Sequence, residues 1–197
     1  SKQMIRVHKF GGASVKDEQA IRNMADIVKS LEGRNVVVVS AMGKTTNAME
    51  AVVRSQWEED GKAIGLLNDI LEKHKEISLA LMPDSDPSWI DELANDVIRF
   101  MEDNRSSEYT FIYDQIVSLG EQLSTTLIYN YLSDQEIDCE WLDIRRLFTT
   151  DRAYTEAKIN WEKTSDKVLK YFSEEESQLI ITQGFLGSTP EGFTTTL

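Results

Sequence analysis

Two strands flank one helix within the first 39 residues, and this order limits the chain to few folds. Residues 4–10 alternate apolar and polar side chains, as a strand does. Four consecutive valines at residues 36–39 are typical of a strand covered on both faces. Between them, apolar residues recur at helical spacing: Ile21, Met24, Ala25, Ile27, Val28 and Leu31. The pattern predicts a right-handed βαβ unit, and so an α/β fold with a mainly parallel sheet.

A glycine turn, Gly11-Gly12, joins the first strand to its helix. Such a turn presents backbone N–H groups beside the positive end of a helix, which suits phosphate. Lys9 lies at the carboxyl end of the strand, where open α/β sheets bind ligands, and can offer a compact positive charge. Taken alone, the same residues also fit an ordinary tight turn beside a solvated lysine.

A second small-residue turn, residues 40–47, follows the valine strand. It resembles the end of a P-loop, but the first glycine of that motif would fall at Val38, within the strand, which excludes it. We expect the Ser40 and Thr46 hydroxyls to face the same crevice as Lys9. Alternatively, Thr46 or Asn47 caps the next helix.

The middle of the chain is predicted to be helical. Residues 48–104 have helical periodicity broken at Gly61 and at residues 83–87, and residues 61–108 are predicted to form a helical insert. One long helix is predicted over residues 111–132. A glycine inside a helix costs about 1 kcal/mol relative to alanine, so Gly120 indicates the close approach of a backbone or ligand beside Glu121. Taken alone, Glu121 fits a surface glutamate better than a ligand-binding one.

The last third of the chain is predicted to hold two strands, a helix and a hairpin. The strands are expected at residues 140–144 and 179–183, with the helix near residues 161–172 between them. The hairpin is expected to turn at residues 190–192. The second of these strands ends in Gly184-Phe185, a further turn at the predicted crevice.

Charge and composition exclude several classes of partner. With 34 acidic and 21 basic residues the chain carries a formal charge of −13, which argues against binding nucleic acid or anionic membranes. The single cysteine, Cys139, and the lack of a secretory signal favour the reducing cytoplasm. Two histidines and one cysteine argue against structural zinc, so any metal is expected to be a hard cation carried with phosphates.

Four segments of the chain together resemble the aspartokinases of the amino-acid-kinase superfamily. They are distributed along the whole chain: residues 9–15 (Lys-Phe-Gly-Gly-Ala-Ser-Val), 39–47 (Val-Ser-Ala-Met-Gly-Lys-Thr-Thr-Asn), 120–124 (Gly-Glu-Gln-Leu-Ser) and 182–197, from Thr-Gln-Gly-Phe to Thr-Thr-Thr-Leu. Ala13 stands where many members carry threonine, a neutral exchange between small residues.

The resemblance implies a three-layer α/β/α sandwich, truncated in this chain. Residues 1–197 would be the amino-terminal, substrate-side portion of the kinase domain, because the family's Gly-Arg-x-Gly-Ser-Asp segment and nucleotide-binding half would follow Leu197. The implied reaction is ATP-dependent phosphorylation of the side-chain carboxylate of L-aspartate to 4-phospho-L-aspartate. It is the first step of lysine, threonine and methionine biosynthesis. The chain alone is expected to be inactive, and the complete enzyme to be a homo-oligomer.

The resemblance also implies roles for individual residues. Lys9 would be catalytic and, with Gly11 and Gly12, would bind the phosphates of ATP, which brings Mg²⁺ with it; no residue of this chain is assigned to the metal. Three residues would bind the substrate: Ser40 and Thr46 by hydrogen bonds, and Glu121 by pairing with its ammonium group. The arginine that grips the substrate α-carboxylate would lie beyond Leu197.

Two alternatives stay open. One is a kinase for another small acid, glutamate or acetylglutamate, which would share the glycine turn but would not be expected to carry residues 40–47 together with Gly120-Glu121. The other is a non-catalytic substrate-binding fragment.

Overall fold

The computed structural model describes residues 4–103 and 108–197. Six strands are β1 (Ile5–Phe10), β2 (Arg34–Val39), β3 (Glu140–Leu142), β4 (Leu179–Gln183), β5 (Leu186–Ser188) and β6 (Thr194–Thr196). Seven α-helices are α1 (Glu18–Lys29), α2 (Thr45–Glu58), α3 (Ala63–Leu81), α4 (Trp89–Asp103), α5 (Tyr109–Val117), α6 (Leu119–Asp134) and α7 (Trp161–Glu174). These counts refer to the described residues.

The first four strands form one parallel sheet in the order β1-β2-β4-β3. Register pairs Phe10 with Val39 and Val39 with Gln183, so these three strands end at one edge of the sheet. β5 and β6 form a separate antiparallel hairpin. The predicted βαβ unit, parallel sheet and hairpin are thereby confirmed.

Alternate residues of the central strands β2 and β4 pack into two different hydrophobic cores, one on each face of the sheet. Val37, Val39 and Ile181 pack into a core with α1 and α6 on one face of the sheet. Val36 and Ile180 face the other way and pack beneath α7. Helices therefore cover both faces, as the three-layer prediction requires. Beside α7 the cover is incomplete, leaving a largely apolar groove of about 520 Å³.

A third core joins the helices of the middle of the chain. It contains buried residues of α2 to α6: Met49, Val52, Val53, Ala63, Leu67, Ile70, Leu71, Ile90, Ala94, Met101, Ile112, Ile116, Val117, Leu119 and Leu123. The predicted breaks at Gly61 and at residues 83–87 separate α2, α3 and α4. The predicted end of this helical region at Asn104 lies outside the described residues, as do residues 104–107 of the predicted insert.

One predicted helix is wrong, and one of the alternatives is excluded. The single helix expected over residues 111–132 is two helices that meet at Ser118, whose hydroxyl donates to the Gln115 carbonyl (3.4 Å); such back-bonding bends helices. Ile27 shares the helical spacing of the apolar residues of α1 but is exposed. Thr46 and Asn47 do not cap α2, because that helix already begins at Thr45 and its cap position is Lys44.

Candidate active site at the sheet edge

The two polar turns lie against each other at the carboxyl ends of β1 and β2. The Ser40 N–H donates to the Phe10 carbonyl (3.1 Å), and the Gly43 N–H donates to the Gly12 carbonyl (2.9 Å). A Cβ at Gly12 would lie 2.8 Å from the Gly43 carbonyl oxygen, so only glycine fits there without displacing the second turn. Gly11, in contrast, has open space at that position.

The amino-terminal end of α1 contributes less to anion binding at this site than the sequence suggests. A short 3₁₀ helix, Gly12–Val15, separates the glycine turn from α1. The Asp17 carboxylate caps α1 by accepting from the Ala20 N–H (2.9 Å). Because that helix end already holds a carboxylate, a phosphate near the turn would depend on Lys9 and on the N–H groups of the turn.

The beginning of α6 packs onto the second turn. Gly120 is the second residue of α6 rather than an interior one, and a Cβ there would lie 3.0 Å from Ala41 Cβ. The Ser124 hydroxyl donates to the Ser40 carbonyl (2.7 Å). The close approach predicted for Gly120 is therefore confirmed, but its partner is the Ala41 side chain in the turn after β2 rather than a backbone or a ligand.

The Glu121 carboxyl is partly buried beside this contact. Desolvation raises its pKa to about 7, and hydrogen bonds from its own backbone N–H and from that of Ala41 act in the opposite direction. The group is thus poised to hold a proton just below neutral pH and a negative charge just above it. The partly buried carboxyl differs from the surface glutamate that the residue, taken alone, suggests.

A buried polar network fixes α6 against the sheet. Thr125 Oγ1 accepts from Gln183 Nε2 (2.9 Å) and from Trp141 Nε1 (3.0 Å), and donates to the Glu121 carbonyl (2.7 Å). Gln183 Oε1 accepts from the Ile144 N–H (2.9 Å). Sequence reasoning assigned no role to Thr125 or Gln183, whose pairing depends on β4 lying beside α6 in the folded chain.

The structure places the other predicted site residues as follows. Lys9 is exposed at the end of β1, with its Nζ 4.3 Å from the centroid of the Phe185 ring. The Ser40 hydroxyl donates to the Ala41 carbonyl (3.2 Å), and Thr46 is partly buried in the first turn of α2. The contacts bring the glycine turn, Ser40 and the Glu121 helix together; Phe185 is the neighbour of Lys9 that sequence reasoning did not identify.

Among the described residues no cluster of three or more histidine, cysteine, aspartate or glutamate side chains could hold a metal ion. Within the same residues, every helix is too short or too polar to cross a bilayer.

The chain is similar to known proteins over nearly all of its length. Lysine-sensitive aspartokinase 3 of Escherichia coli is 30% identical over 98% of this chain, and the chloroplastic bifunctional aspartokinase/homoserine dehydrogenase 2 of Arabidopsis thaliana is 30% identical over 99%. The chain spans 43% and 22% of their respective lengths. The structure of E. coli aspartokinase III with lysine and aspartate superposes with a TM-score of 0.87 at 31% identity, covering 98% of this chain and 43% of that one.

The same enzyme with aspartate and ADP gives a TM-score of 0.86 over the same share of both chains. The model of the amino acid kinase family matches residues 4–197, nearly all of the sequence. The chain therefore belongs to the amino acid kinase family.

Proposed function

We propose that this chain forms the substrate side of an aspartokinase, which transfers the γ-phosphoryl group of ATP to the side-chain carboxylate of L-aspartate. The observation that carries the proposal is the Glu121 carboxyl, which is desolvated against the turn after β2. This turn lies at the same edge of the sheet as Lys9, the residue before the last of β1. The E. coli relative, which has been seen with aspartate and ADP, supports it.

Phosphoryl transfer to a carboxylate requires positive charge near the phosphates rather than a general base. A carboxylate with a pKa of about 4 is already ionised at neutral pH, so the nucleophile does not have to be deprotonated. The barrier lies in bringing an anion to a polyphosphate, which positive charge and backbone N–H groups lower. Lys9 would face the transferring phosphoryl group, and the Gly11 and Gly12 amides would bind phosphate oxygens.

Glu121 would hold the substrate by its ammonium group, with Ser40 and Thr46 donating or accepting hydrogen bonds. An ammonium within pairing distance stabilises the ionised carboxylate and so offsets the desolvation that raises the Glu121 pKa. Mg²⁺ would arrive on the phosphates of ATP and neutralise part of their charge when bound.

Residues outside this chain would complete the enzyme. Because the chain spans under half of the E. coli relative, we propose that the groups binding adenine and ribose lie beyond Leu197. The arginine for the substrate α-carboxylate would lie there too. We also propose that residues 61–108 form a helical insert in the kinase domain. The complete enzyme is proposed to be a homo-oligomer.

Hydroxamate trapping of the acyl phosphate tests the proposal in the longer enzyme. L-aspartate, L-glutamate and N-acetyl-L-glutamate are offered in turn with ATP and Mg²⁺, and we expect product with aspartate. Product with either of the other acids instead would assign the chain to a different kinase. If none of the three acids gives product, calorimetric titration with aspartate is the second measurement. Binding of aspartate without product would support the alternative of a non-catalytic substrate-binding fragment.

A further inference from the structure

Phe185 combines two features that a folding chain normally avoids. Its backbone is in the left-handed region with φ +59°, which disfavours any residue except glycine, most of all a bulky one. Its side chain is also 54% exposed. Conformations of this kind persist where the surroundings impose them, and they concentrate at functional sites.

The chain on both sides of Phe185 is held firmly. The Phe185 carbonyl accepts from the Leu197 N–H (3.0 Å), at the end of β6. The preceding residue, Thr196, is in turn bound through its N–H and its hydroxyl to the buried Asp114 carboxylate, both at 2.8 Å. On the other side, Gly184 sits where a Cβ would lie 3.1 Å from Val38 Cγ1. These contacts fix the direction in which the Phe185 ring leaves the backbone.

The ammonium group of Lys9 lies over the face of the Phe185 ring. The 4.3 Å between Lys9 Nζ and the ring centroid is well within the range of a cation–π interaction. In the part of the chain that the structure describes, Lys9 forms no ion pair with a carboxylate. A carboxylate partner would cancel the lysine charge and repel an arriving phosphate, whereas an aromatic face orients the cation and leaves its charge intact.

We propose that Phe185 is a positioning residue for Lys9, holding its ammonium at the sheet edge where the transferring phosphoryl group is expected. The proposal rests on the proposed function for the role of Lys9. The Phe185–Lys9 contact itself can be measured in the absence of any substrate, so it holds or fails independently of which acid is phosphorylated.

Nuclear magnetic resonance of the 197-residue chain tests the contact. Protons above an aromatic face are shifted upfield, so the Lys9 Cε protons, assigned by their loss in Lys9→Arg, are expected to be upfield of those of other exposed lysines. Phe185→Leu should remove the shift and Phe185→Tyr should keep it. Phe185→Gly, which suits the left-handed backbone, should also remove it and serves if the leucine variant does not fold.

Phe193→Leu is the matched control. Phe193 is 47% exposed on the turn of the same hairpin, and its ring packs on Phe111 (5.2 Å). This variant should leave the Lys9 signal unchanged. An unshifted Lys9 signal in the wild-type chain, or a shifted one in Phe185→Leu, would overturn the proposal.

Turnover in the longer enzyme tests the consequence. A cation–π interaction at an exposed site is worth about two- to fivefold in an equilibrium or rate, so Phe185→Leu should lower kcat by that factor with little change in the aspartate KM. Phe185→Tyr should recover the rate. A rate equal to wild type in Phe185→Leu, or a tyrosine variant as slow as the leucine one, would show that the ring has no positioning role.

Discussion

The pKa of the Glu121 carboxyl lies close to neutrality, so its protonation should be linked to substrate binding. At pH 6 the free carboxyl, with a pKa of about 7, is mostly protonated, and pairing with an ammonium requires it to ionise. Aspartate binding at pH 6 should therefore release a proton, and binding should weaken as the pH falls below 7. Calorimetric titration in buffers of different ionisation enthalpy measures this release directly.

The Glu121→Gln variant removes the ionisable carboxyl and so tests its role in aspartate binding. In the longer enzyme it should weaken aspartate binding by about 1.5–3 kcal/mol, abolish the proton release and leave ATP affinity nearly unchanged. Glu174→Gln, which removes an exposed carboxylate from α7 on the other face of the sheet, is the matched control. Equal weakening of aspartate and ATP would show that Glu121 supports the fold instead.

Lys9 should act on the rate rather than on substrate affinity. Removing one preorganised donor to transition-state charge costs about 10²–10³ in rate. We expect Lys9→Ala in the longer enzyme to lower kcat by at least that order, with little change in the aspartate KM. Lys170→Ala, at an exposed lysine of α7, should leave steady-state kinetics unchanged. A near-normal kcat in Lys9→Ala would remove this lysine from the mechanism.

At the scale of elements, the glycine turn offers two neighbouring positions with opposite steric demands. A Cβ at Gly12 meets backbone of the second turn at 2.8 Å, whereas one at Gly11 meets nothing within 4 Å. Overpacking of this kind costs about 1–3 kcal/mol, so Gly12→Ala should lower the free energy of unfolding by that amount. Gly11→Ala should change it by under about 0.5 kcal/mol. Urea denaturation compares them, and equal effects would contradict the close packing of the turns.

The elements themselves could largely be predicted, because each depends on a local pattern. The valines of β2 and the spacing within α1 indicate their structures without reference to the rest of the chain. The break at Ser118 could not be foreseen, since Ser118 keeps helical dihedral angles and apolar residues continue through it. Ile27 has the right spacing for the buried stripe of α1, yet it is 53% exposed, which spacing alone does not show.

The site was predictable only as a set of turns that converge. Order along the chain and a parallel sheet suffice to bring Lys9, Ser40 and the start of α6 to one edge. The sequence does not show that Gly12 packs on Gly43, or that the Phe185 ring meets Lys9, because such contacts depend on strand register and on a left-handed backbone. The sequence predicts that Gly184-Phe185 is a turn at the end of a strand, but it does not indicate that Phe185 contacts Lys9.

On the scale of the whole molecule, the 197-residue chain should not complete the reaction alone. Phosphoryl transfer depends almost wholly on positioning and on charge stabilisation, and a site that grips one substrate without orienting the other gives almost no rate. We expect no measurable aspartyl phosphate in a hydroxamate assay of this chain, and far weaker ATP binding than in the longer enzyme. Steady turnover by residues 1–197 would falsify the proposal that the nucleotide-binding half lies elsewhere.

The order of strands in the sheet has a consequence for how the molecule forms. β2 and β4 are neighbours, yet Val39 and its partner Gln183 are separated by about 140 residues, and closing a loop of that length costs about 4 kcal/mol of chain entropy. Helices α2 to α6 lie within this loop and pack mostly on one another, at smaller sequence separations than that between β2 and β4. These helices are therefore expected to form first, which shortens the flexible loop that remains to be closed. Pulse-labelled hydrogen exchange should find α2 and α3 protected before β2 and β4; the reverse order would contradict this. The crevice between the turns would then be among the last features of the molecule to appear.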